Sequence, residues 1–180
     1  SGNSDDAIRV QDSASLANRI SGNSIFNNGT TAAHLGIDLV GVDGVNANDG
    51  GDPDPGPNTL QNFPIVISAG DAAVSGTLNS TLSTANFRVE VYANETCDTS
   101  GNGEGQYYLG GVTGVNTDGA GNAAWMVSGI TNLPSSARFI TALAISAAGN
   151  TSEFSPCRAL PVVIDSTDAS TIFLDAAHAI

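Results

Sequence analysis

The sequence predicts an all-β chain in two parts, short solenoid rungs followed by a β-sandwich. Three observations carry this. Thr, Val, Ile, Ser, Asn and Gly dominate the 180 residues, and helix signals are nearly absent. Apolar alternation recurs with turn residues every ~8–12 positions, the pattern of short strands. The phrase Ser-Gly-Asn-Ser occurs at Ser1–Ser4 and again at Ser21–Ser24, self-similarity at a period of about 20 residues, as in a solenoid lap.

Residues 1–40 read as rungs. Ala7–Val10, Asn18–Ile20, Asn23–Phe26 and Gly36–Val40 are short apolar runs separated by Asn, Ser and Gly, too short for sandwich strands but right for one face of a rung. Aligning the repeated phrase stacks Asn3 over Asn23 and Ser4 over Ser24, where amides can pass hydrogen bonds up a ladder. Few rungs are present, and solenoid units bury their faces only against neighbours. The bare end at residue 1 is therefore expected to be covered by more of a longer solenoid or by another copy of the chain.

Residues 41–62 form an acidic Gly/Pro/Asp connector. Asp43, Asn46, Asn48, Asp49, Asp52 and Asp54 are spaced by glycines and prolines. Calcium takes about six to eight oxygen ligands in flexible geometry, so these residues are candidate calcium ligands. The glutamate that ends an EF-hand loop is missing, and a solvated acidic linker is the alternative.

Residues 63–160 carry the sandwich. Strands are expected at Pro64–Ser68, Ala73–Leu78, Phe87–Ala93, Gln106–Val115, Ala123–Ser128, Phe139–Ser146 and Glu153–Leu160, with Asp118-Gly119 as a turn between two of them. Seven strands in about a hundred residues suits an immunoglobulin-like sandwich. Trp125 reads most simply as a core residue, with sugar stacking as the sharper alternative. Of Tyr107 and Tyr108, at most one faces outward, because neighbours on a strand point to opposite sides. Residues 161–180 are a C-terminal extension. Its β-prone runs include Thr171, Ile172, Phe173 and Leu174, a candidate strand to add to a neighbouring subunit's open edge. A frayed end or a short helix at 174–180 is the alternative.

The stretch "NRISGNSIFNNG…LGIDLVGVDGVNANDGGDPDPGPNTLQNFPIV" resembles the last rungs of the right-handed parallel β-helix of large secreted bacterial proteins. In that family an acidic connector and an immunoglobulin-like module commonly follow. "RFITALAISAAGNTSEFSPC" resembles the closing hairpin of such modules. The resemblance covers residues 18–66 closely and continues to about Cys157. It implies an architecture and a secreted setting, and says almost nothing about activity.

Charge and cysteine content narrow the function classes. Eighteen acids against five bases give a net charge of −13, and every base is an arginine. Nucleic acid requires a cationic face and is not an expected partner. No apolar run approaches the roughly 20 residues of a membrane helix, and an export signal is expected to be removed already or to lie outside this stretch. Cys97 and Cys157 are the two cysteines. They are too far apart for a short metal motif and are expected to form a disulfide worth about 4 kcal/mol, two buried thiols being the alternative. Asn28, Asn79, Asn94 and Asn150 head N-x-S/T sequons and are candidate glycosylation sites in turns or at strand ends. His34 and His178 stand near no nucleophile motif.

The function expected from these features is structural. It is an extracellular or cell-surface protein, no enzyme, that assembles with copies of itself into a filament or appendage. The competing expectation is an adhesin fragment that binds surface glycans or a host protein. Third comes the remnant of a β-helix polysaccharide-degrading enzyme, to which Asp5-Asp6 would give paired carboxylates and Arg9 and Arg19 the bases.

Overall fold

The computed structural model describes residues 1–161, and among them the regular structure is all-β, with one short 3-10 segment at Pro57–Leu60. Strand β1 (Ile8–Val10) pairs in parallel with β2 (Ile37–Leu39), setting Ile8 beside Ile37, Arg9 beside Asp38 and Val10 beside Leu39. Parallel neighbours need a long crossover. Here it is a lap of 29 residues, from Ile8 to its partner Ile37.

That lap exceeds the repeat of the Ser-Gly-Asn-Ser phrase, and the two copies do not stack. The Asn3 N–H donates to Asn28 Oδ1 at 3.3 Å, and the Gly29 N–H donates to the Asn3 carbonyl. Ser21–Ser24 turns instead toward the strands that follow. Ser21 Oγ donates to Glu90 Oε1 at 2.6 Å and Ser24 Oγ to the Gln106 carbonyl at 2.8 Å. The reason is electrostatic: a buried carboxylate is a stronger acceptor than a stacked amide, so the donor-rich turn goes to it. Asn18–Ile20 forms no strand, and Asn23–Phe26 contributes one isolated bridge, Ile25 to Gly105. Among the described residues the parallel part is a two-stranded sheet and not a closed solenoid.

Strands β3 (Ile65–Ala69), β4 (Ala73–Asn79) and β7 (Asn122–Ser128) make a three-stranded antiparallel sheet in the order β3-β4-β7. Strands β5 (Phe87–Asn94), β6 (Tyr107–Val115), β8 (Phe139–Ile145) and β9 (Arg158–Ala159) make a second in the order β6-β5-β8-β9. The Asp118-Gly119 turn forms, its carboxylate accepting the Ala120 and Asn122 N–H groups. It closes no hairpin, because β6 and β7 belong to different sheets and the chain crosses between them.

Period-2 alternation fills the space between the sheets. Val74, Leu78, Trp125 and Val127 of the first meet Phe87, Val89, Val91, Ile140, Ala142 and Ala144 of the second. Trp125 is thus a core residue, and its indole has no face free for a sugar. The other face of the four-stranded sheet is buried too. Tyr92, Leu143, Ile145 and Phe154 pack there against Val10, Ile20, Ile25, Ile37 and Leu39. Tyr92 stands edge-on to both Phe154 and Tyr108, each with ring centroids 5.4 Å away. Two covered faces explain the almost unbroken apolar run of β8, the signature of a strand buried on both sides.

The expected strand Glu153–Leu160 is mostly something else. Only Arg158 and Ala159 join the ladder. Asn150–Ser155 is buried alongside β8, where Ser152 Oγ and Ser155 Oγ accept the Ala144 and Ala142 N–H groups. The Ser152 and Ser155 N–H groups donate in turn to the Ala144 and Ala142 carbonyls, so serine side chains supply the acceptor half of each pair and leave Glu153 and Phe154 to face the first sixty residues. Cys97 and Cys157 are disulfide-bonded across a sequence separation of 60, which stabilises the fold by about 4 kcal/mol on the chain-entropy model. The candidate donor run Thr171, Ile172, Phe173 and Leu174, with His178, lies outside the described residues.

Candidate functional site: a seam of buried carboxylates

Burying an unpaired charge is costly, so a buried carboxylate must be surrounded by donors. Three glutamates that face the N-terminal segment obey this rule, and the donors come from that segment. Glu90 on β5 accepts Ser21 Oγ, the Gly22 N–H at 2.9 Å, Tyr92 Oη at 2.7 Å and Arg88 Nε at 2.7 Å. Glu104, between β5 and β6, accepts the Asn28 N–H at 3.1 Å and Asn28 Nδ2 at 2.7 Å. Glu153 accepts the Leu39 N–H at 3.1 Å, the Asn46 N–H at 3.0 Å and Asn46 Nδ2 at 2.6 Å. Each acid therefore holds down a different part of the lap. An extended segment with little ladder of its own is kept in register by these acceptors.

The connector is fastened the same way. Asp52 accepts Ser80 Oγ at 2.5 Å, Gln61 Nε2 at 2.9 Å and the Asn62 N–H at 3.2 Å. Asn48 brackets Phe63, donating to its carbonyl and accepting its N–H. Asn46 also donates to the Leu39 carbonyl, Asp43 lies 3.4 Å from Arg9 Nη2, and Asp54 is exposed. The Asp49 N–H is held by Asn62 Oδ1. Of the six candidate calcium ligands, Asp43, Asn46, Asn48 and Asp52 use their side chains on partners within the chain. Among the described residues no group of three or more His, Cys, Asp or Glu side chains is placed to hold a metal ion.

Opposed forces set the acidities. For Glu90, burial works against the charge, but bonds from Ser21, Arg88, Tyr92 and Gly22 outweigh it and hold the group below the ordinary glutamate value. Burial pushes Glu104 up despite Asn28, Glu153 up to about 7 despite Asn46 and Leu39, and Asp52 up to about 6 despite Ser80 and Asn62. Asp38 is raised to about 7, by burial first and then by the charges of Asp6 and Glu153, with Arg9 pulling the other way. Neither Asp38 oxygen meets a donor when both aspartates are ionised. The conflict disappears when Asp38 keeps its proton and donates to Asp6. We therefore read Asp38 as holding a proton that it donates to Asp6, with Arg9 Nη1 3.2 Å from Asp6.

A pH dependence follows. In the unfolded chain Asp38, Asp52 and Glu153 lose their protons near pH 4, whereas in the fold they keep them to about pH 6–7. The folded state binds more protons between those limits, so stability is complete below about pH 4 and is lost as pH rises to about 7. Glu90 acts oppositely, but its contribution is lost only in stronger acid. The melting temperature is expected to be higher at pH 5 than at pH 8, by the equivalent of up to about 6 kcal/mol. Measuring it in high salt screens the general repulsion of an acidic chain. A melting temperature that climbs from pH 5 to pH 8 would contradict the assignment.

The remaining candidates divide clearly. Asn28, Asn94 and Asn150 are buried, and their amides bond Glu104, Thr141 and Thr59. A glycan has no room at these three sequons, which corrects the expectation of surface turns. Asn79 is half-buried and bonds Asn122. Tyr107 and Tyr108 are both half-buried, Tyr107 Oη donating to Glu95. His34 Nε2 lies 3.7 Å from Asp5 at the surface, and its Nδ1 accepts the Thr30 N–H. Sequence reasoning passed over Glu90 and Glu153. The available signal was one acid inside each of two otherwise apolar or small-residue runs, "RVEVYA" and "NTSEFS". No family model matches the chain, and no curated protein matches it.

Proposed function

We propose that this is an extracellular structural protein whose copies associate through the free edge of the parallel sheet. One observation carries the reading. Among the described residues strand β1 has a strand neighbour on one side only, and its other side borders a groove of about 610 Å3 lined by Ile8, Arg9, Val10, Ser15, Asn18 and Arg19. An unpaired strand edge is a template for another chain. Its contact with a different surface of a second copy is heterologous and propagates into a fibre unless it closes into a ring. The parallel pair fits a terminal β-helix rung, and the 3 + 4 strand order fits an immunoglobulin-like sandwich. The disulfide is compatible with an oxidising, extracellular setting, and among the described residues no helix is long and apolar enough to cross a membrane.

Copies that each carry −13 repel one another, so assembly is expected at physiological ionic strength and to weaken in dilute buffer. Negative-stain electron microscopy and sedimentation over a concentration series test this. Rings or fibres that shorten in Arg9→Pro, which removes the N–H that β1 turns away from β2, support the proposal. Dispersed monomers at every concentration would end it.

A further inference from the structure

Two of the five arginines meet at one cavity. Arg19 from the N-terminal lap and Arg88 from β5, with Asn86, Thr113, Gly114 and Ser146, line a space of about 430 Å3. Among the described residues no Asp or Glu lines it, an exception in a chain of net charge −13.

Arg88 is held ready. Its Nε donates to Glu90 and its Nη2 donates to Tyr108 Oη at 2.8 Å, while Nη1 has no acceptor among the described residues. The guanidinium lies over Gly111, where a Cβ would stand 2.9 Å from Nη2. Pairing between β5 and β6 passes from Phe87–Val115 to Val89–Val112, so Thr113 and Gly114 stand against Arg88 alone. Such a bulge bends the strand and re-aims side chains, and Gly114 provides the positive φ of 73°. Arg19 is exposed, and its side chain has no bond or ion pair among the described residues. The backbone on either side of it is anchored, the Asn18 N–H to Asn58 Oδ1 and the Ile20 N–H to Thr151 Oγ1.

Glu90 balances one of the two positive charges, and the cavity therefore keeps about one. That favours a monoanion over a dianionic phosphate. A guanidinium presents paired N–H donors suited to an oxyanion, while Asn86, Thr113 and Ser146 offer amide and hydroxyl partners for a polyol. The volume lies in the range of small-ligand sites, ~300–1,000 Å3. We propose that this cavity binds one monoanionic unit of an acidic glycan, the carboxylate of a uronic acid or a sulfate ester, between Arg19 and Arg88. The site depends on the lap being docked on β5 and not on assembly between copies.

Calorimetry with the full chain tests it, using a hyaluronan tetrasaccharide for the carboxylate, a κ-carrageenan tetrasaccharide, which has sulfate esters and no carboxylate, for the sulfate ester and a neutral maltotetraose as control. Binding of either acidic probe is expected, weakening as salt rises and at least tenfold weaker in Arg19→Ala. Preference between the two identifies the group. Because Arg19 is exposed and unpaired, Arg19→Ala should melt like the wild type, and Thr113→Glu, at the rim, should abolish binding. Equal affinity for the neutral probe, no binding of either acidic probe, or full affinity in Arg19→Ala would each overturn the assignment.

Discussion

Glu153→Ala is expected to destabilise the fold by about 5 kcal/mol. Glu153 is 2% exposed, and removing its carboxylate strands the Leu39 N–H, the Asn46 N–H and one Asn46 Nδ2 donor. A buried donor left unmet costs about 1–3 kcal/mol, and truncating the side chain adds a small cavity. Part of that loss is offset at neutral pH, since burial already disfavours the ionised form and raises the group to about 7. Even so, the net effect is a large share of the 5–15 kcal/mol typical of a whole domain. Glu153→Gln keeps one acceptor but turns a donor toward Asn46, so an intermediate loss is expected. Urea denaturation followed by circular dichroism measures both. Glu153→Ala within about 1 kcal/mol of the wild type would mean that the seam is not held by this carboxylate.

The sandwich strands were legible because most of them present one face to a core. The runs at Ala73–Leu78 and Phe87–Ala93 alternate apolar and polar residues, and the strands observed there and at Ala123–Ser128 differ by a residue at most at either end. The path of the first sixty residues was not legible, for a physical reason. In "RVEVYAN", Arg88, Glu90, Tyr92 and Asn94 share one face, which reads as the solvent side of a sheet. Only a covering segment makes it an interior, and nothing in β5 announces that Ser21 and Gly22 will bring donors to it. The connector reads in two ways. Asn and Asp at high density predict oxygen ligands for a cation, yet the same groups suit a segment without a ladder, whose backbone needs side-chain partners. Asn46, Asn48 and Asp52 serve that second need. The repeated Ser-Gly-Asn-Ser phrase suggested stacked laps of about 20 residues, but the two copies do not stack and the parallel partners lie 29 residues apart, because a turn-forming phrase marks corners and not the rise between rungs.

Gly76→Ala should cost about as much as losing Glu153, through steric conflict and not lost hydrogen bonds. Gly76 lies in β4 between Val66 of β3 and Trp125 of β7. A Cβ there would run into the Ile65 carbonyl oxygen and stand 2.6 Å from Trp125 Cζ2. Glycine weakens a strand interior, so its presence at the centre of this sheet reflects the close approach of an indole and a neighbouring backbone. Alanine leaves two ways out: β3 separates from β4, or Trp125 swings from a site where it is 4% exposed. Vacating an aromatic core position costs about 3–5 kcal/mol, and parting an edge strand loses several ladder bonds. Trp125 is the one tryptophan, so its fluorescence reports which route is taken. A red-shifted native emission means that the indole has left the core, whereas an unshifted emission with a lower urea midpoint means that β3 has given way. Gly119→Ala is the control, since nothing lies within 4 Å of a Cβ there. If Gly76→Ala matched that control in both midpoint and emission, the packing of Trp125 across β4 would be wrong, and with it the arrangement of the core between the two sheets.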